Sequence, residues 1–126
     1  MWQTVAAVAA GGAAGSVFRF LLSQQMLHLS SAFPWGTFVI NVTGSFLIGF
    51  FARALSGPTA DPVLRVALTV GFCGGFTTFS TYSSEMVLLI EQARAMRALV
   101  YMLSSTVASV TATVAGLSLG GTFAGR

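Results

Sequence analysis

The 126-residue sequence has no lysine, three acidic residues and one cysteine. Charged residues make up 7% of it, against about 25% in an ordinary soluble domain. A soluble domain of this length must cover its surface with polar groups, and too few are present. The shortage excludes a soluble enzyme and a disordered tail. Six arginines set a net charge of +3, too sparse for a nucleic-acid footprint, so no nucleic-acid partner is expected. With Cys73 alone, no intramolecular disulfide can form. The thiol sits in an apolar run and reads as an inert packing residue. There is no nucleophile–base pair, no metal-ligand cluster of side chains and no phosphate loop, so no catalysed chemistry is expected. His28 falls at the end of a span and reads as an interfacial side chain.

What is present is apolar: 55% of residues are hydrophobic, and the mean hydropathy is +0.83. Lipid is the solvent that suits such a chain. A spanning helix needs about 20 apolar residues at about 1.5 Å each. The length therefore holds four spans with short loops, as one all-α transmembrane domain over residues 1–126. The first span is expected over Thr4–Leu27. The opening MWQTVAAVAA lacks a basic region, so it reads as part of that span and not as a cleaved signal. A short loop, 30–34, precedes the second span, Trp35–Ala52, with Pro34 suited to a helix start. Arg53–Arg65 contains Gly57, Pro58, Asp61 and Pro62 and reads as a loop. The third span is expected over Val66–Ile90 and the fourth over Ala98–Gly120, with a polar turn at Glu91, Arg94 and Arg97 between them.

Cytoplasmic loops carry excess Lys/Arg, so arginine placement should set the orientation. One side carries Arg53, Arg65 and Arg126. The other carries Arg94 and Arg97, joined by Arg19 if that side chain reaches the nearer surface. This near balance does not choose a topology. Either other features fix one, or the chain inserts both ways and forms an antiparallel dimer. Length favours the second reading, because four helices alone enclose little.

The third span is unusual. Its centre runs Gly71-Phe72-Cys73-Gly74-Gly75-Phe76-Thr77-Thr78-Phe79-Ser80-Thr81-Tyr82-Ser83-Ser84-Glu85. Paired glycines followed by dense hydroxyl residues are poor helix formers. A glycine pair alone would read as a packing contact. The Ser/Thr run after it favours a break near Gly74–Thr78, which survives at membrane depth only where protein or a wet cavity serves it. Such a break exposes carbonyls that can coordinate a cation and N–H groups that favour anions.

Polar residues recur every four positions in two other spans: Thr37, Asn41 and Ser45, then Tyr101, Ser105, Ser109 and Thr113. Residues four apart share a helix face. Any single hydroxyl there can simply bond a carbonyl one turn back. Asn41 is harder to dismiss, because its amide must find partners in the bilayer. Two stripes beside a broken helix point to a lined pathway, neutral and rich in donors. Phe79 and Tyr82 lie three apart and could turn positive ring edges toward an anion, although spacing alone equally describes aromatics filling a helix interface. The residues themselves therefore lead to a small oligomeric membrane protein with a donor-lined, anion-compatible path.

The run from Gly74 to Glu85 resembles the signature of the Fluc family of fluoride channels, also called CrcB proteins. The likeness extends to Gly11-Gly12 through Gly15 to Arg19, to Pro34-Trp35-Gly36-Thr37 leading to Asn41, and to the span-four stripe. The resemblance implies a passive fluoride channel in the bacterial inner membrane. It implies a dual-topology homodimer, two antiparallel copies enclosing two pores, with a structural sodium ion at the dimer centre held by the carbonyls of Gly74 and Thr77. Phe79 and Tyr82 would turn ring edges to fluoride. Asn41, Ser105, Ser109 and Thr113 would line the pore, with Thr37 and Tyr101 near them and Arg19 at the wide anion entrance. Glu85 matches the acidic residue closing the signature, with no role attached. Where the family usually has a second phenylalanine, this chain has Tyr82, expected still to line the pore. Two other readings stand beside this one: a small four-span multidrug exporter and an accessory membrane subunit without transport. Such exporters carry a central glutamate in span one, where this chain has Arg19 and no acid.

Overall fold

The computed structural model describes residues 1–124, so Arg126 of the charge count lies outside the described residues. Helices account for nearly all of them, and no strand occurs among the described residues. Four are long and apolar enough to cross a membrane. Helix α1 is Trp2–Gln25 and ends in a short 3-10 turn, Leu27–Leu29. Helix α2 is Trp35–Ala54. The third span is two helices, α3a over residues 62–76 and α3b over Phe79–Glu91. Helix α4 is Ala95–Gly121.

Local chemistry explains the ends. Ser30 Oγ donates to the Met26 carbonyl at 3.0 Å and accepts from the Gly36 N–H at 3.3 Å, tying the first loop to the start of α2. The third span begins four residues earlier than its hydropathy indicates. Asp61 is its N-cap, accepting the Val63 N–H at 2.8 Å, with Pro62 as the first helical residue. An Asp-Pro pair that reads as loop punctuation is here a capping signal, because proline lacks only an N–H that the first turn cannot use. At the far end, the Arg94 N–H reaches back to the Leu89 carbonyl at 2.9 Å across Ala93, whose φ is 57°.

The helices pack through glycine. In lipid no hydrophobic force pulls helices together, so close backbone approach must supply the contact. Gly71 and Gly75 of α3a, four residues apart, meet Gly11 and Gly12 of α1, and Gly15 of α1 meets the backbone of Phe72 and Phe76. A Cβ on Gly71 would stand 2.8 Å from the Val8 carbonyl oxygen. Helices α2 and α4 meet in the same way, and a Cβ on Gly116 would stand 2.8 Å from the Phe50 amide nitrogen. Over Ala67–Cys73 the third span widens into a π-helix directly against these α1 contacts. The most deeply buried large side chains are Tyr101, Ile40 and Cys73. Much of the outer surface is apolar, including Phe18, Phe20, Val107 and Val114, as a helix bundle in lipid requires.

Gly116→Val should therefore lower stability by about 1–3 kcal/mol through overpacking of α2 on α4. The exposed Ala115→Val on the same helix should leave it within about 0.5 kcal/mol. Thermal unfolding of the purified protein in detergent measures both, and equal midpoints would refute the glycine contact.

Candidate functional site

The break in the third span sits at Thr77 and Thr78. The helix continues through Gly74–Phe76, and the Thr77 N–H still closes onto the Cys73 carbonyl at 3.0 Å. Thr77 (ψ 159°) and Thr78 (φ −149°, ψ 111°) are then extended. The glycines are thus not the broken residues. Gly75 makes close contact with α1, Gly74 lies open, and the threonines that follow leave the helix. Thr78 is the N-cap of α3b, its hydroxyl accepting the Thr81 N–H at 3.2 Å.

Three side chains from other helices serve the opened backbone. Asn41 of α2 acts as a peptide would: its Oδ1 accepts the Thr78 N–H at 2.8 Å, and its Nδ2 donates to the Thr78 carbonyl at 3.1 Å. From α1, Ser16 donates to the Gly75 carbonyl at 3.4 Å and Arg19 to the Thr77 carbonyl at 3.1 Å. Arg19 is thus half-buried against the break and does not join the surface arginines of the nearer loop. Because the Thr78 N–H is directed to Asn41, the Gly74 carbonyl loses the donor that a continuous helix would give it. Ser16 was not legible as a participant. Its one sequence signal is that it lies three residues before Arg19, on the same helix face.

Beside the break lies an open cleft of about 390 Å³, walled by α2, both halves of the third span and α4. It brings together Asn41, Gly74, Thr77, Phe79, Tyr82, Ser105 and Ser109, and adds Ser45 and Thr106. The two aromatics, alike by spacing, differ in setting. Tyr82 is 7% exposed and Phe79 is 78% exposed, with ring centroids 5.6 Å apart. Tyr82 also donates its hydroxyl to the Met102 carbonyl of α4 at 3.4 Å, so the added oxygen points at backbone.

Four predicted residues lie outside the cleft walls: Arg19, bonded to the break, and three others. Thr113 donates to the Ser45 and Ser109 carbonyls, both at 3.1 Å, and so clasps α2 to α4. Thr37 and Tyr101 converge on Glu85: the Thr37 hydroxyl donates to Oε1 at 2.8 Å and the Tyr101 hydroxyl to Oε2 at 2.7 Å. Glu85 stands one turn beyond Tyr82 on the same face of α3b, and the Tyr82 and Tyr101 rings are 5.0 Å apart. This knot therefore continues the polar line of the cleft. A carboxylate inside a span is costly unless donors satisfy it, and here each oxygen has one. No group of three His, Cys, Asp or Glu able to hold a metal occurs among the described residues, so any cation at the break would depend on backbone oxygens.

A four-span bundle with a broken third helix and a neutral, donor-lined cleft defines a small multi-pass membrane protein. The family described as CrcB-like protein, Camphor Resistance (CrcB), matches residues 6–117, and the chain belongs to that family. A protein of Nitrobacter winogradskyi named fluoride-specific ion channel FluC is 48% identical over 120 residues, covering 94% of this chain and 95% of its own length. Proteins of the same name are 47% identical in Rhizobium meliloti (89% of this chain, 91% of theirs) and 48% identical in Caulobacter (87% and 88%). The family is one of channels and not of enzymes.

Asn41→Leu would leave the Thr78 N–H and carbonyl buried without partners, at about 1–3 kcal/mol each. A loss of about 2–6 kcal/mol in detergent unfolding is expected, against little change for the exposed Thr43→Leu on the same helix. An Asn41→Leu protein as stable as the wild type would refute the clamp.

Proposed function

We propose that this protein is a passive fluoride channel of the bacterial inner membrane, working as an antiparallel, dual-topology homodimer with two pores. The observation that carries the reading is the near full-length identity to proteins named fluoride-specific ion channel. The cleft chemistry supports it. Fluoride is small and strongly hydrated, so a pore must replace its water with several hydrogen bonds. Ser105 and Ser109 offer hydroxyls, Asn41 keeps one amide hydrogen beyond the bond to Thr78, and Phe79 and Tyr82 offer ring edges. None is a fixed charge that would trap the ion. Hydrogen fluoride crosses membranes as a weak acid and ionises inside, so a passive path lets the accumulated anion leave.

The unpaired surfaces support the dimer. Phe79 lies 78% exposed on the cleft, and Gly74 is exposed, with nothing of its own chain within 4 Å of where a Cβ would be. Both stand where a second copy would close the cleft. The near-balanced arginines support dual topology: Arg53 and Arg65 at one end, Arg94 and Arg97 at the other. A structural sodium ion at the dimer centre would take the Gly74 carbonyl, freed of its helical donor, and the second lone pair of the Thr77 carbonyl, whose first accepts Arg19. Bound there, the ion would join the two breaks and offset anion charge at a distance.

Liposomes loaded with fluoride or chloride and treated with a potassium ionophore test the function. Fast fluoride release with negligible chloride release is expected, and a folded protein that releases no fluoride overturns the reading. For the assembly, a cysteine introduced at a terminus should label from both faces of the membrane, and removing sodium should loosen the dimer. Labelling from one face, or indifference to sodium, counts against the corresponding claim.

A further inference from the structure

A second cavity, of about 190 Å³, opens at the other end of the polar line that runs from the cleft. It lies between the 30–34 loop and the end of α3b. Half-buried Glu85 and exposed Arg94 both line it. Glu85 connects it to the cleft, because its Oε2 accepts the Tyr101 hydroxyl and the Tyr101 ring packs on Tyr82 of the cleft wall. The cavity is therefore where the line through Tyr82, Tyr101 and Glu85 reaches the surface.

We infer that this cavity is an aqueous mouth of the anion path and that Arg94 is the residue that draws fluoride into it. The inference rests on the channel reading above. An anion at this mouth faces the Glu85 carboxylate, which repels it. Arg94 is the cationic side chain that lines the same cavity. The other arginine of the turn, Arg97, donates to the Ala32 carbonyl at 3.3 Å and does not line the cavity. Arg94 is held in place by its backbone. Its N–H bonds the Leu89 carbonyl at 2.9 Å and the Ala93 N–H bonds Ile90 at 3.0 Å, with Ala93 in the left-handed region. A helix end closed by both bonds is a rigid turn. An exposed guanidinium attracts anions over a Debye length yet stays hydrated, so it raises the local fluoride concentration without binding the ion tightly.

The test is the initial fluoride efflux rate from liposomes for the wild type, Arg94→Gln, Arg94→Glu and Arg65→Gln. Arg65 is exposed on α3a and lines neither cavity. Each is measured at about 0.01 M and about 1 M ionic strength with an impermeant salt, where the Debye length is about 30 Å and about 3 Å. At low salt Arg94→Gln should slow efflux ~2- to 5-fold and Arg94→Glu more. At high salt the differences should largely vanish, and Arg65→Gln should match the wild type throughout. Three results overturn the inference: Arg94→Glu at the wild-type rate in low salt, an equal loss at both salts (a structural role), or an equal loss for Arg65→Gln (a general surface-charge effect). A wild type that releases no fluoride would instead defeat the channel reading on which the inference stands. Normal wild-type flux with any of the three results defeats this inference alone.

Discussion

Two residues of extended backbone inside a membrane span impose the constraint that organises this protein. Lipid offers no hydrogen bonds at that depth, so the N–H and carbonyl groups opened at Thr77–Thr78 must find partners in protein or in a wet cavity. The partners come from two different helices: Asn41 from α2, Ser16 and Arg19 from α1. Each reaches the break only if its helix lies close to the third span. The glycine contacts supply that closeness. With a Cβ on Gly71 or Gly15, α1 would stand off, and Ser16 and Arg19 would lose their carbonyls. Small residues and hydrogen-bonding residues therefore act as one device.

The magnitudes say which part of the device matters most. An orphaned backbone group costs about 1–3 kcal/mol, a large share of a total stability near 5–15 kcal/mol. Four groups at the break take side-chain partners: the carbonyls of Gly75, Thr77 and Thr78 and the Thr78 N–H. Asn41 alone serves two of them. Helix propensity, at a few tenths of a kcal/mol per threonine, is too weak to break a span by itself. The threonine run makes the break inexpensive locally, and the distant asparagine makes it tolerable.

This division explains what the sequence could reveal. Long apolar runs locate the four spans because lipid demands them, and the Gly/Thr/Ser run locates the break within a few residues. The Asp61-Pro62 cap was misread as loop because capping and loop signals share residue types. The span-two and span-four stripes identify faces correctly, but a face does not say what it meets. Ser105 and Ser109 meet the cleft, while Thr113, one turn further, meets the Ser45 carbonyl. Phe79 and Tyr82 share a spacing and differ elevenfold in exposure, because α4 packs over one and not the other. Arg19 carries no sign in the sequence of its bond to the Thr77 carbonyl. Interhelical contacts decide all of these, and no local pattern encodes them.

The placement of charge follows from the same constraint. No charged side chain lines the cleft, and in the proposed channel a permanent charge beside an ion that must keep moving would hold it. Glu85, the carboxylate nearest the cleft among the described residues, accepts a hydroxyl on each oxygen and lies beyond the aromatic pair, toward the loop end of α3b. The guanidinium nearest the break, Arg19, donates into a backbone carbonyl. Both charges are thus engaged by the scaffold, and the cleft between them keeps neutral donors: the Ser45, Ser105 and Ser109 hydroxyls and one Asn41 amide hydrogen. Where the cleft is open, the Phe79 ring, Ile48, Val110 and the bare Gly74 backbone are exposed. A strongly hydrated anion held there by one chain would keep part of its water. In the proposed dimer a second copy would cover that open side and take the place of the remaining water, which is the physical case for a four-helix chain of this length working in pairs.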